Sequence, residues 1–225
     1  MSVGENLAAV RARISAACAA AGRDPASVRL LAVSKTFGPE ALAAARAAGQ
    51  AEFGESYLQE ALPKIAALGR EGLRWHFIGP VQSNKTREIA AAFDWVHGVD
   101  RLKIAQRLSD QRPAESPPLE VCVQVNISGE TSKSGVVPGD ALALCRAVCA
   151  LPRLRLRGVM AIPEPGPEPR KSFARLRDLF DALRRDGLPL DTLSAGMSDD
   201  LEAAIAEGST LVRVGTAIFG NRGNK

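Results

Sequence analysis

Short runs rich in Val, Leu and Ile alternate along this chain with longer stretches whose apolar positions recur every three or four residues. Glycine or proline punctuates most of the changes. Runs bounded in this way read as strands buried on both faces, and the spaced stretches as amphipathic helices. The pattern predicts a leading helix over 5–21, stopped by Gly22 and Pro25. It then predicts strands at 30–36, 51–54, 73–78, 95–99, 119–126, 154–162, 191–195 and 211–214. Between them come helices at 39–48, 57–68 and 83–92, one through Leu108, and further ones at 138–150, 170–185 and 199–206. Strand then helix, repeated around eight strands, argues a parallel sheet, and eight units fit a closed (β/α)8 TIM barrel with an extra N-terminal helix. An open doubly wound sheet is the other arrangement that this alternation allows.

Composition narrows the class without changing the fold. A chain of 225 residues with 46% hydrophobic and 24% charged residues is a globular protein rather than a disordered one, and residues 1–225 are expected to form one domain. The net charge of +4 is spread among both signs, with no long basic block, so nucleic-acid binding is not indicated. No apolar run approaches the roughly 20 residues that span a bilayer, and Glu5, Arg11 and Arg13 interrupt the Ala-rich start, which excludes a signal-peptide core. Cys18, Cys122, Cys145 and Cys149 show neither metal-ligand spacing nor the density of a disulfide scaffold, as in a reduced, cytoplasmic protein. Cys145 and Cys149, four apart, share a helix face and are expected to be buried. His76 and His97 are far apart in sequence and carry no ligand pattern, so no metal site is expected.

Candidate chemistry gathers at the strand ends, because the active face of such a barrel is built there. Lys35 closes the first strand on the face of Leu31 and Val33. If that face is interior, desolvation lowers the lysine pKa, and a neutral amine is what attacks an aldehyde to form a Schiff base. The plainer reading is a lysine that reaches solvent along its own stem. Gly196-Met197-Ser198-Asp199-Asp200 ends the seventh strand with Ser198 as the expected helix cap, and Val214-Gly215-Thr216 follows the eighth. Loops at these two places are the usual phosphate site of such barrels. Arg213 shares a face with Leu211 and Gly215, which puts it in the barrel mouth or in a salt bridge with Glu52 or Asp191. Lys133 sits in a Ser/Gly-rich loop over 128–135, either as a solvated charge or as a loop lysine that contacts ligand.

An inward lysine, a phosphate cradle and a buried arginine together suggest pyridoxal 5′-phosphate (PLP). With them the sequence resembles the pyridoxal phosphate homeostasis proteins. The resemblance runs through Ala32-Val33-Ser34-Lys35, Phe53-Gly54-Glu55-Ser56-Tyr57, Trp75-His76-Phe77-Ile78-Gly79, Gln124-Val125-Asn126, Ser132-Lys133-Ser134-Gly135, Gly196-Met197-Ser198-Asp199-Asp200 and Val212-Arg213-Val214-Gly215-Thr216. It implies a fold like the N-terminal barrel domain of alanine racemase, with Lys35 as the Schiff-base lysine. It also implies that Ser198, Gly215 and Thr216 hold the phosphate, that Arg213 faces the pyridine nitrogen, and that Ser56, Met197, Asn126 and Lys133 add contacts to the cofactor. Ser56 stands where the family usually has Asn, so a contact there is expected to be shortened or replaced by water.

The implied function is to hold PLP reversibly in intracellular vitamin B6 homeostasis and to pass it to apo-enzymes, as a monomer and without catalysis. A guanidinium beside the pyridine nitrogen keeps that nitrogen unprotonated and weakens the ring as an electron sink. The related racemases take a second base, a tyrosine, from an added β domain, whereas the only tyrosine here, Tyr57, lies early in the barrel sequence. A low-activity amino-acid racemase and a Schiff-base aldolase acting on a phosphorylated substrate are the alternatives.

Overall fold

Ser2 and Glu5 start the first helix by capping each other: the Glu5 N–H donates to Ser2 Oγ, and the Ser2 N–H donates to Glu5 Oε2 at 2.7 Å. The structure is a computed structural model that describes residues 1–129, 134–163 and 168–221. After α1 (Val3–Ala20) come β1 (Arg29–Val33), α2 (Pro39–Ala47), β2 (Glu52–Glu55), α3 (Leu58–Leu68), β3 (Arg74–Phe77), α4 (Thr86–Ala92), β4 (Trp95–Val99) and α5 (Leu102–Gln111). The second half has β5 (Leu119–Gln124), α6 (Ala141–Cys149), β6 (Leu154–Met160), α7 (Pro169–Arg185), β7 (Thr192–Ser194), α8 (Leu201–Ala206), β8 (Leu211–Val214) and the short α9 (Thr216–Phe219). Each strand pairs in parallel with the next, and β8 closes on β1 with Leu31 opposite Arg213 and Ala32 opposite Val214. That last pairing excludes the open sheet.

Two layers of side chains follow from the strand period of two. Outward residues such as Phe53, Trp75, Val121 and Val212 pack beneath the helices and form the main core with α1's Leu7, Val10 and Ile14. The inner layer is smaller and more polar. Trp95, Cys122 and Met160 form a separate apolar cluster, and Trp95 is stacked on His76 at 5.3 Å. The guanidiniums of Arg29 and Arg157 lie 4.7 and 5.1 Å from the Trp95 ring centre, so the floor of the barrel is an aromatic ring held between cations.

Several boundaries differ from the sequence expectation for local reasons. β1 ends at Val33 rather than running through Lys35: Ser34 still makes a ladder bond to Gly54 O, but its hydroxyl is tied to Glu55 and Thr36 takes a φ of 71°, which turns the chain away. α4 begins at Thr86, after a turn closed by Lys85 N–H to Gln82 O, and Thr86 Oγ1 donates to Ser83 O at 3.0 Å. A 3-10 turn over Pro138–Asp140 precedes α6. On α6, Cys145 is buried but Cys149, on the last turn, is exposed, so only the first of the pair fills the expected apolar role. Among the described residues no helix is long and apolar enough to cross a membrane.

Candidate functional site

A pocket of about 200 Å³ opens at the C-terminal end of the barrel, and Lys35, Ser56, Met197, Ser198, Arg213, Gly215 and Thr216 all line it. Val33, Phe37, Ile78 and Ile162 supply its apolar walls. Asn126 instead lines an adjoining pocket that shares Ile78 and Ile162 with the first. Lys133 lies outside the described residues.

Lys35 is half-buried and sits two residues past the end of the strand, on a turn fixed from both sides. Before it, the buried Ser34 hydroxyl donates to Glu55 Oε1 at 2.6 Å. After it, the N–H of Thr36 donates to Glu60 Oε2 at 2.9 Å and holds a β-branched residue in the left-handed region, a conformation that costs of order 1–3 kcal/mol and persists only where surroundings impose it. Glu55 is itself held by the Lys64 ammonium at 2.8 Å, and Lys64 Nζ also donates to Ser34 O at 2.9 Å. Burial pushes the Glu55 carboxyl up, against the lowering effect of Lys64 and Ser34. Sequence reasoning missed this clip. Its signal was a lysine placed where α3 is otherwise apolar.

The two candidate anion loops are tied together. Ser198 Oγ accepts from the Ala217 N–H at 3.3 Å, which leaves the hydroxyl proton free to be donated into the pocket. Ser198 does not cap α8, as the sequence led one to expect. Asp200 stands at the N-cap without a side-chain cap bond, and its carboxylate instead takes the Met197 N–H at 2.6 Å, closing the loop before the helix. Gly215 passes so close to β1 that a Cβ there would stand 3.0 Å from Val33 O and 3.3 Å from Val33 Cβ, so a side chain would push this loop off the strand beside Lys35.

Arg213 is buried and pairs with neither Glu52 nor Asp191. Nη1 donates to Ser194 O at 2.6 Å and Ser194 Oγ at 2.8 Å, and Nη2 donates to Ala161 O at 2.9 Å. Glu52 and Asp191 lie at the opposite ends of their strands, where they pair with Arg29 and Arg157. Burial without a carboxylate partner pushes Arg213 down to about 10, which still leaves it cationic at neutral pH.

Below Arg213 the sequence-distant histidines meet. His76 Nδ1 lies 3.0 Å from His97 Nε2, and His97 Nδ1 lies 2.9 Å from Ser194 Oγ, all within the closed interior. Among the described residues no group of three or more His, Cys, Asp or Glu is placed to hold a metal. Burial holds both imidazoles well below the ordinary histidine value, with His97, Arg29 and Arg74 adding repulsion at His76, and Arg213 and Arg29 at His97. The unfolded chain protonates these groups near 6.5, so acid favours unfolding. Their contribution is intact above that pH and declines below it by about 1.4 kcal/mol per histidine per pH unit, until the buried rings themselves take up protons. The urea midpoint is expected to drop between about pH 7 and pH 5.5 and to drop less in His76→Gln/His97→Gln. Equal drops in the two proteins would assign the acid sensitivity elsewhere.

A closed parallel barrel with a lysine after its first strand and a loop pair after its last two defines a class. The family model described as "Alanine racemase, N-terminal domain" matches residues 6–223. Within that class the chain belongs to the pyridoxal phosphate homeostasis protein family. It is 64% identical to the "Pyridoxal phosphate homeostasis protein" of Pseudomonas aeruginosa over 98% of this chain and 96% of that one. It is 56% identical to the protein of the same name from Escherichia coli K12, over 98% of this chain and 97% of that one. Among solved structures it resembles PipY of Synechococcus elongatus with PLP bound, at 36% identity and a TM-score of 0.84, over 97% of this chain and all of that one.

Proposed function

We propose that this chain binds pyridoxal 5′-phosphate on Lys35 and serves intracellular vitamin B6 homeostasis by holding and releasing it, without catalysis. The observation that carries the proposal is the convergence, in one pocket, of an amine, a buried guanidinium and two loops bearing hydroxyls. Each matches one part of the cofactor. When bound, the cofactor supplies an aldehyde that condenses reversibly with an amine, releasing water. Lys35 supplies the amine, Arg213 faces the ring nitrogen, and Ser198, Gly215 and Thr216 hold the phosphate. Met197 and Ser56 line the ring, with Asn126 in the adjoining pocket. The names of the close relatives, and the PLP described in PipY, support the same reading.

The carrier reading is favoured over a racemase by the guanidinium. A group that stays protonated at neutral pH donates to the ring nitrogen and leaves it without a proton, which weakens carbanion stabilisation. Tyr57, the only tyrosine, stands just before α3 and is 51% exposed rather than lining the pocket. We treat residues 1–225 as a single domain, monomeric and cytoplasmic, with apo-enzymes as recipients. The free, buried thiols of Cys18, Cys122 and Cys145 suit a reducing compartment.

Comparing PLP with unphosphorylated pyridoxal tests the phosphate loops. Ser198→Ala and Thr216→Ala are each expected to weaken retention of PLP by about 1–3 kcal/mol while leaving pyridoxal unaffected. No change in either variant moves the phosphate elsewhere. Incubation of the PLP-loaded protein with L-alanine or L-serine, followed by chiral chromatography, is expected to show no D-isomer. Accumulation of D-isomer in proportion to protein would establish the racemase instead.

A further inference from the structure

A single line of buried polar atoms crosses the barrel interior from its floor to the pocket. It starts at Glu52, the first residue of β2, passes through His76 on β3, His97 on β4 and Ser194 on β7, and ends at Arg213 on β8. The spacings are 3.5 Å from Glu52 Oε2 to His76 Nε2, 3.0 Å between the imidazoles, 2.9 Å from His97 to Ser194 Oγ, and 2.8 Å from there to Arg213 Nη1. His76, His97 and Ser194 are completely enclosed. At the far end, Glu52 Oε2 and His76 Nε2 lie 3.5 Å apart, both buried and neither making a hydrogen bond, so the hydrogen-bonded part of the line runs from His76 to Arg213 and Glu52 stands just beyond it.

One arrangement of protons satisfies every hydrogen bond from His76 to Arg213 and turns a donor towards Glu52. A guanidinium has only donors, so Ser194 Oγ accepts from Arg213. The hydroxyl proton then goes to His97 Nδ1, which must be bare, so His97 carries its proton on Nε2. That proton points at His76 Nδ1, which must also be bare, so His76 is protonated on Nε2 and donates towards the Glu52 carboxylate. Donation therefore runs in one direction from cation to anion, through two neutral rings of the same tautomer. Reversing it would set a bare His76 nitrogen against a carboxylate and leave the Ser194 proton without its acceptor. Buried chains of this kind polarise one another and are costly when half satisfied.

We propose that this line is the device that fixes Arg213 in the site, with Ser194 and His97 as positioning residues for the guanidinium and the Glu52 carboxylate as the remote anchor. The proposal rests on the reading of the pocket as a PLP site. Its consequence is that the guanidinium's placement against the ring nitrogen, and with it the electronic state of the bound ring, depends on residues that never touch the cofactor. Arg213 keeps its bonds to the carbonyls of Ser194 and Ala161 in any case, so loss of the hydroxyl loosens the group rather than releasing it.

The test has two arms. In ligand-free protein labelled with ¹⁵N-histidine, long-range proton–nitrogen spectra are expected to show both rings as the Nε2–H tautomer, and His97 is expected to lose that single state in Ser194→Ala. An Nδ1–H ring at either position overturns the line. In protein loaded with PLP, Ser194→Ala is expected to shift the visible band and to speed loss of the cofactor on dilution by about tenfold, the scale of one hydrogen bond to a charged group. Ser194→Thr, which keeps the hydroxyl, is expected to restore both, and borohydride still fixes the cofactor to Lys35 in each variant. A folded Ser194→Ala protein with the parent's band and release rate overturns the positioning role. A parent protein that takes up no PLP at all fails the site reading instead, and the tautomer arm distinguishes the two failures.

Discussion

Replacing Lys64 by methionine is expected to lower folding stability by about 3–5 kcal/mol, the cost of leaving a buried carboxylate without its cation. Lys64 and Glu55 are both enclosed, at 6% and 0% side-chain exposure, so solvent cannot take over from the lost partner. Glu55 would keep only the Ser34 hydroxyl, and its Oε2 already has no hydrogen bond. The sign of the pH effect follows from the same geometry. Without Lys64 the Glu55 carboxyl rises further, protonates at higher pH and becomes neutral in place, so the deficit of the variant is expected to shrink as the pH is lowered from 7 to 5. Lys64→Met/Glu55→Leu removes both charges and is expected to recover most of the loss. Urea midpoints decide the matter, and a single variant within about 0.5 kcal/mol of the parent would mean that the pair carries no such weight. Because Ser34 and Glu55 immediately precede Lys35 and Ser56, the single variant is also expected to hold PLP less firmly.

Lys35→Ala is expected to abolish covalent capture of PLP while leaving the fold intact. The side chain is half-buried at the pocket and follows the strand rather than packing within it, so truncation removes little core. The hydroxyl-bearing loops of Ser198 and Thr216 and the guanidinium of Arg213 remain, and the variant is expected to bind PLP weakly and reversibly, with no mass added after borohydride. A Lys35→Ala protein that still yields a full pyridoxyl adduct would place the anchor on another lysine.

How far the sequence reaches is clear from particular elements. β4 and β8 lie where the runs at 95–99 and 211–214 put them, since Asp94 and Asp100 bracket the first, Thr210 and Gly215 the second, and parallel-sheet strands buried on two faces are the plainest pattern to read. The end of β1 was not legible. It is set by Ser34 bonding to Glu55 and by the left-handed Thr36, both of which depend on tertiary neighbours. The lining of the pocket could be read because strand-end position alone brings Lys35, Ser198, Arg213 and Thr216 together. Their partners could not. A serine before a helix looks like its cap, but the helix starts two residues later at Asp200, whose carboxylate takes the Met197 N–H and leaves α8 without a side-chain cap. An interior arginine looks like half of a salt bridge until strand lengths show that the available acids sit at the other rim. His76 and His97 needed strand register to meet: His76 pairs with Trp95, which puts His97 two residues further along on the same inner face.

The visible spectrum of the purified protein with added PLP, taken before and after borohydride and followed by mass mapping of the reduced peptide, tests the central claim most directly. A band in the visible range that borohydride bleaches, with a stable pyridoxyl mass on the peptide carrying Lys35, is the expected result. A protein that stays colourless and unmodified at saturating PLP contradicts it.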